Sequence, residues 1–342
     1  MLHSDNKSFS FLLKDILRIL LISGLLVCIT SCQKEEKVVV APQKITIAYS
    51  TIPHTALFQV AFEKGFFSVE GLEVTPQPHS FGKLALNAVL EGKADMATQA
   101  DTPIMFAVTA GKKIYAVAEI AISKRSLAII ARKDRGITSP LDLRDKTVGA
   151  SLGTTGEFFM DSFLVTHRIG RNEVKIVDMK PDEMLDALLK GRVDAVSTWI
   201  PNIQYVLKGL GDKGIAFYDE AIFQELMCLA ASQEFAKQHP ETIKKVLRAF
   251  IRAETFIKDN PEESKRLVAE FIKMDQHLLD TIWDSFDFRV TLDQTLLMSL
   301  EDQTRWAMKN RLTEVSTMPN YLNYIDLEGL SAVKPEAVKI IK

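Results

Sequence analysis

Cysteine is nearly absent from this sequence: three residues in 342, at Cys28, Cys32 and Cys228. So few cysteines supply no internal disulfide framework, and stability must come from core packing. Basic blocks are also missing, and 42 Lys and Arg against 44 Asp and Glu leave a net charge of −2. Neither a nucleic-acid footprint nor an acidic solvating tail is present. His-Glu-x-x-His and Cys-x-x-Cys do not occur, and the six histidines are scattered. The chemistries those motifs carry are unsupported, so the expectation is a protein that is not an enzyme and holds no cofactor and no metal.

What is present is ordinary globular material behind an unusual start. Hydrophobic residues make up 47% and charged residues 25% of the chain, enough for a sizeable core. Lys7, Lys14 and Arg18 precede an apolar run from Ile19 to Ile29 that is too short to span a bilayer. These are the charged and apolar regions of an export signal, assigned to residues 1–31. The run ends in Ile29-Thr30-Ser31-Cys32, small residues before a cysteine. That pattern resembles the lipobox of bacterial lipoproteins, which implies lipid attachment at Cys32 and a membrane-anchored protein on the periplasmic side. Residues 32–43 read as a tether. Cys228, inside "ELMCLAAS", is expected to be a buried, inert thiol on a strand.

The body contains a repeat. "ALNAVLEGKADMATQADTP" at 85–103 and "MLDALLKGRVDAVSTWIPN" at 184–202 share Leu90, Gly92 and Asp95 with Leu189, Gly191 and Asp194 at constant offset. Reading backwards extends each phrase to a β-α-β-α-β unit, opened by "KITIAYS" and "KTVGASLGTTGEFF". The glycines fit helix C-caps, and the small apolar run after each suits a parallel strand buried on both faces. The fold class that follows is α/β and two-lobed, each lobe a mainly parallel sheet flanked by helices, joined by crossings at 126–137 and 225–232. Lobe 1 is assigned to 44–127 and 228–338, and lobe 2 to 128–227. Helices are expected through 233–335, with Ile243, Val246, Leu247, Phe250 and Ile257 on one core-facing stripe.

Ligands of parallel sheets bind outside the carboxyl ends of the strands. The strand-to-helix turns there are small and rich in hydroxyls, and helix N-termini favour anions. The candidate ligand-binding residues are Thr51, His54, Ser80, Phe81, Asp101, Thr102, Ser151, Gly153, Thr154, Thr155, Gly156 and Trp199. Trp199 could stack on or close over a ligand, Phe81 could form an apolar wall, and Lys83 and His79 could add charge. Each such turn also fits plain helix capping. "SLGTTGEFF" lacks the Gly-Lys-Ser/Thr of a P-loop and the dinucleotide fingerprint, which disfavours a nucleotide.

At "TIAY", "EKGFF", "GKADMATQADTP", "LRDKTVGASLGTTGEFF" and "GRVDAVSTWIPN" the chain resembles the type II periplasmic binding proteins of ABC importers. The similarity is to the branch of nitrate, alkanesulfonate and taurine receptors and thiamine-precursor binders, and covers roughly 44–338. It implies an extracytoplasmic solute receptor, expected to be a monomer, that closes on a small organic or inorganic anion and delivers it to a membrane permease. The alternatives are the same role for a pyrimidine thiamine precursor, or an enzyme built on this fold. The second lobe offers no basic residue in its turns, which leaves a monoanion or a neutral heterocycle open.

Overall fold

The computed structural model describes residues 41–123, 125–219 and 223–341. The expected export signal, Cys32 and most of the tether lie outside the described residues.

The first unit runs β1 (Gln43–Ser50), helix Ala56–Glu63, β2 (Leu72–His79), helix Gly82–Leu90 and β3 (Met96–Ala100). The second runs β6 (Thr147–Ala150), helix Thr155–Thr166, β7 (Lys175–Asp178), helix Met184–Leu189 and β8 (Ala195–Trp199). In each, the first strand pairs in parallel with the other two. Gly92 and Gly191 close their helices at φ +69° and +68°, a conformation that costs other residues more. Every residue of β3 and of β8 is buried, as strands covered on both faces must be.

The sheets are mixed, and in each of them four strands run one way, with one against them in the five-stranded sheet and two in the six-stranded one. The six-stranded sheet has the order β11-β4-β10-β3-β1-β2, and the five-stranded sheet β7-β6-β8-β5-β9. Here β4 is Ile114–Ser123, β5 Leu127–Arg132, β9 Gly214–Phe217, β10 Glu225–Ser232 and β11 Phe286–Asp287. β10 runs antiparallel to both β3 and β4, and β5 antiparallel to both β8 and β9. The cause is chain direction. β5 and β10, which enter a sheet by a direct crossing, run against the strands joined by helices, whereas β4 and β9, which leave by one, run with them.

Between β4 and β5, and again between β9 and β10, the chain passes from one sheet to the other. β10 is "ELMCLAAS", and Cys228 within it is fully buried, its thiol pushed well up by burial. Helix Pro240–Asp259 buries Ile243, Val246, Leu247, Phe250 and Ile257, the stripe read from its spacing. Among the described residues no helix is long and apolar enough to cross a membrane, and no group of His, Cys, Asp and Glu could hold a metal ion.

Candidate ligand-binding cleft

Five parallel strands deliver their carboxyl ends to one cleft. Ile52 follows β1, Phe81, Gly82 and Lys83 follow β2, and Ala100 ends β3 with Pro103 just beyond. From the other sheet, Thr154 and Thr155 follow β6 and Trp199 ends β8. Glu225 and Met227 complete the lining from the start of β10. The empty space they enclose is about 320 Å3, open solvent included.

Local sequence explains the placement. The helices starting at Gly82, Asp101 and Thr155 bring their N-termini to this end of the sheets, with the positive ends of their macrodipoles. A Cβ on Gly82 would lie 2.8 Å from the Cα of Gln99, so only glycine lets that helix start against β3. Gly153 has φ +71°, and a Cβ there would meet Lys83 Nζ at 2.8 Å. That approach matters, because Lys83 Nζ donates to the carbonyl of Leu152 at 2.7 Å and so ties one wall to the other. The rings of Phe81 and Trp199 stand 6.2 Å apart at 53°.

The candidate residues divide into three groups. Phe81, Thr154, Thr155 and Trp199 line the cleft. Gly153 and Gly156 adjoin it as spacers, since a Cβ on Gly156 would press on Trp199 at 3.3 Å. The others are placed elsewhere or are committed to protein partners. Thr51 bonds the carbonyl of His79 through both its N–H and its hydroxyl, and Ser80 is exposed. Ser151 donates to the carbonyl of Met179 at 2.7 Å. His54 is buried, with Nε2 3.1 Å from Glu225 Oε2. A carboxylate only accepts, so Nε2 carries the proton and Nδ1 is left without a partner. Thr102 is buried with its hydroxyl unpartnered.

Asp101 faces the helix Gln294–Lys309. It accepts from Ser299 Oγ at 2.6 Å, Gln303 Nε2 at 2.7 Å and the N–H of Thr102 at 3.0 Å. Burial outweighs those donors and pushes its carboxyl up to about 7. The hydroxyl of Thr154 is also occupied: it donates to the carbonyl of Ser151 at 2.6 Å and accepts from the N–H of Gly156 at 3.2 Å. Glu157 takes the N–H of Gly153 at 2.7 Å and is paired with Arg171. The start of the helix Thr155–Thr166 is therefore largely capped by its own residues. His79, with Nε2 unpartnered, is pushed below its ordinary value by burial.

Glu225 is the lining residue that no local pattern reveals. It stands as the polar first residue of an apolar strand, and only the crossing geometry puts it on the cleft. The single available signal is a charge opening an otherwise apolar buried strand.

The family model described as "NMT1/THI5 like" matches residues 52–264, well over half of the sequence. The chain belongs to the NMT1/THI5-like family. Among solved structures this family member is similar to the periplasmic aliphatic sulphonate binding protein SsuA of Escherichia coli. The TM-score is 0.71 at 18% identity, covering 83% of this chain and 97% of that one. It is 24% identical over 213 residues to the taurine-binding periplasmic protein of Escherichia coli, covering 60% of this chain and 64% of the relative. A Haemophilus influenzae protein named for thiamine biosynthesis is 28% identical over 184 residues, covering 53% of this chain and 58% of the relative. The match thus spans about three-fifths of the length of these curated relatives. The fold is that of the periplasmic binding proteins.

Proposed function

We propose that this NMT1/THI5-like protein is an extracytoplasmic solute receptor of an ABC import system. It binds a small anion of alkanesulfonate, taurine or nitrate type and delivers it to a membrane permease, without chemistry of its own. The observation that carries this reading is one cleft shared by the carboxyl ends of two sheets, with Lys83 and Phe81 on one wall and Thr154, Thr155 and Trp199 on the other. The lobes would be 44–127 with 228–338, and 128–227, closing on the solute about the two crossings. The ligand-binding set proposed from the sequence then narrows around Phe81, Gly153, Thr154, Thr155, Gly156 and Trp199. Thr51, His54, Ser80, Asp101, Thr102 and Ser151 would act by shaping the turns behind them. Export through residues 1–31, lipid attachment at Cys32, action as a monomer and a permease partner in the inner membrane belong to the same proposal. The names of the taurine and sulphonate proteins support it.

A second reading, a pyrimidine thiamine precursor in the same receptor role, is favoured by Phe81 and Trp199, whose rings, tilted at 53°, offer aromatic surface to a planar heterocycle. A thermal-shift screen of the purified protein with taurine, ethanesulfonate, nitrate, bicarbonate and aminopyrimidines tests both. A solute at a hundredfold over its dissociation constant adds about 2.7 kcal/mol to the folded state. Stabilisation by sulfonates or nitrate supports the anion reading, and stabilisation by pyrimidines alone supports the second. Folded, ligand-free protein that responds to none of them sinks both.

A further inference from the structure

Glu225 is 4% exposed, and its small opening is onto the cleft. Both of its hydrogen bonds, from Ser126 Oγ and from His54 Nε2 at 3.1 Å, fall on Oε2. Among the described residues Oε1 takes no hydrogen bond, yet it is not one of the fully sealed polar atoms. A carboxylate oxygen can only accept. When the cleft closes and water leaves, that oxygen needs a donor, and the bound solute is what remains to supply it. A bare oxyanion would do the reverse, placing like charge beside an unpaired carboxylate.

The other end of the cleft has the opposite character. Lys83 Nζ spends one of its three N–H groups on Leu152, and the helix starting at Gly82 adds the positive end of its dipole. From these two ends we propose that the solute is an aminated one. It presents an N–H group, a primary ammonium or an exocyclic ring amine, to Glu225 Oε1, and an acceptor or anionic group toward Lys83. Glu225 is then the residue that sets specificity, with Ser126 and His54 fixing the orientation of its carboxylate. The inference rests on the receptor reading above and narrows its solute class. It favours aminosulfonates or aminopyrimidines over nitrate and plain alkanesulfonates.

The test is titration calorimetry on the full chain with matched pairs: taurine against ethanesulfonate, and a 4-aminopyrimidine against its 4-desamino analogue. The expected result is tighter binding of the aminated member of at least one pair by about ten- to a hundredfold, the range for a hydrogen bond to a charged group. In Glu225→Gln that gap should shrink most of the way to parity, with circular dichroism confirming the fold. The wild-type comparison stands by itself should the variant not fold. Equal or tighter binding of the deaminated members overturns the inference. Binding of ethanesulfonate alone overturns it while leaving the receptor reading intact. Binding of nothing in the panel overturns both.

Discussion

The N–H of Thr46 donates to Asp95 Oδ2 at 2.7 Å, and the N–H of Asp95 returns to the carbonyl of Thr46 at 2.9 Å. The second unit repeats the clasp between Thr147 and Asp194, at 3.0 and 2.8 Å. The recurring phrase therefore has a mechanical meaning. Glycine ends the helix, and the aspartate three residues later pins the neighbouring strand at Thr46 or Thr147. Both aspartates stand immediately before β3 and β8, at the amino ends of those strands, while the cleft lies at the carboxyl ends. Asp95→Ala and Asp194→Ala are each expected to cost about 1.5–3 kcal/mol, the scale of a backbone hydrogen bond to a charged group. The two losses should add, because the sites are in different sheets. Urea unfolding measures the cost, and solute affinity should be unchanged in either variant.

Much of the fold was legible in these local patterns, and the reason is physical. Helix caps, period-two strands and apolar stripes are short-range consequences of sequence, so Gly92, Gly191 and the stripe from Ile243 to Ile257 could be read directly. β4 illustrates the limit. Its run "IYAVAEIAIS" is buried almost throughout and shows no alternation to mark it as a strand. The strands β5 and β10 fall within the expected crossings, but their direction was illegible, since it depends on where the crossings lead. At the cleft, Phe81, Thr154, Thr155 and Trp199 were readable because they sit on turns. Glu225 was not, because its position is fixed by Ser126 and His54, 99 and 171 residues away in sequence.

Gly82→Ala probes the close approach at the cleft floor. Its Cβ would stand 2.8 Å from the Cα and 2.9 Å from the Cβ of Gln99, so backbone must move rather than a flexible side-chain tip. A destabilisation of about 1–3 kcal/mol is expected, as for overpacking generally. Because Phe81 and Lys83 flank the position, solute affinity should fall along with the melting temperature. Gly156→Ala offers the milder contrast, with Trp199 at 3.3 Å and a side chain able to yield. A Gly82→Ala protein as stable as the parent would show that this helix start is not held as described.

Glu119, buried in the middle of β4, makes stability depend on pH. Its Oε1 accepts the N–H of Asp293 at 2.8 Å and its Oε2 has no partner. Burial chiefly raises its carboxyl from 4.5 to about 8, assisted by Asp293 and Asp101 and opposed by that hydrogen bond and by Arg289. A folded value above the unfolded one means that the bound proton favours the fold. The contribution is therefore complete below about pH 4.5 and is lost as pH rises through about 8. The melting temperature should fall between pH 5 and pH 9, and Glu119→Gln should flatten much of that fall. Asp101, raised to about 7 by burial, will leave a residual slope. An unchanged slope in Glu119→Gln would refute the assignment.

Trp306 links the helix Gln294–Lys309 to both sides of the cleft. Its Nε1 donates to Asp161 Oδ2 at 2.8 Å, and its ring meets Phe158 at 5.1 Å and Phe106 at 5.9 Å, edge to face in both cases. Phe158 and Asp161 belong to the helix after β6, and Phe106 to the helix after β3. Asp161 is held up by burial against its pairing with Arg171, and its Oδ1 has no partner, so it gains from every donor it has. Trp306→Phe keeps an aromatic ring while deleting the donor, a loss of about 1 kcal/mol or somewhat more. If opening of the lobes limits release, solute dissociation should accelerate about five- to tenfold, with a smaller change in the association rate. Stopped-flow tryptophan fluorescence, with Trp199 as a reporter on the cleft wall, measures both rates. A lower melting temperature with unaltered dissociation would reduce Trp306 to a packing residue, whereas faster dissociation at nearly constant stability would make it a latch.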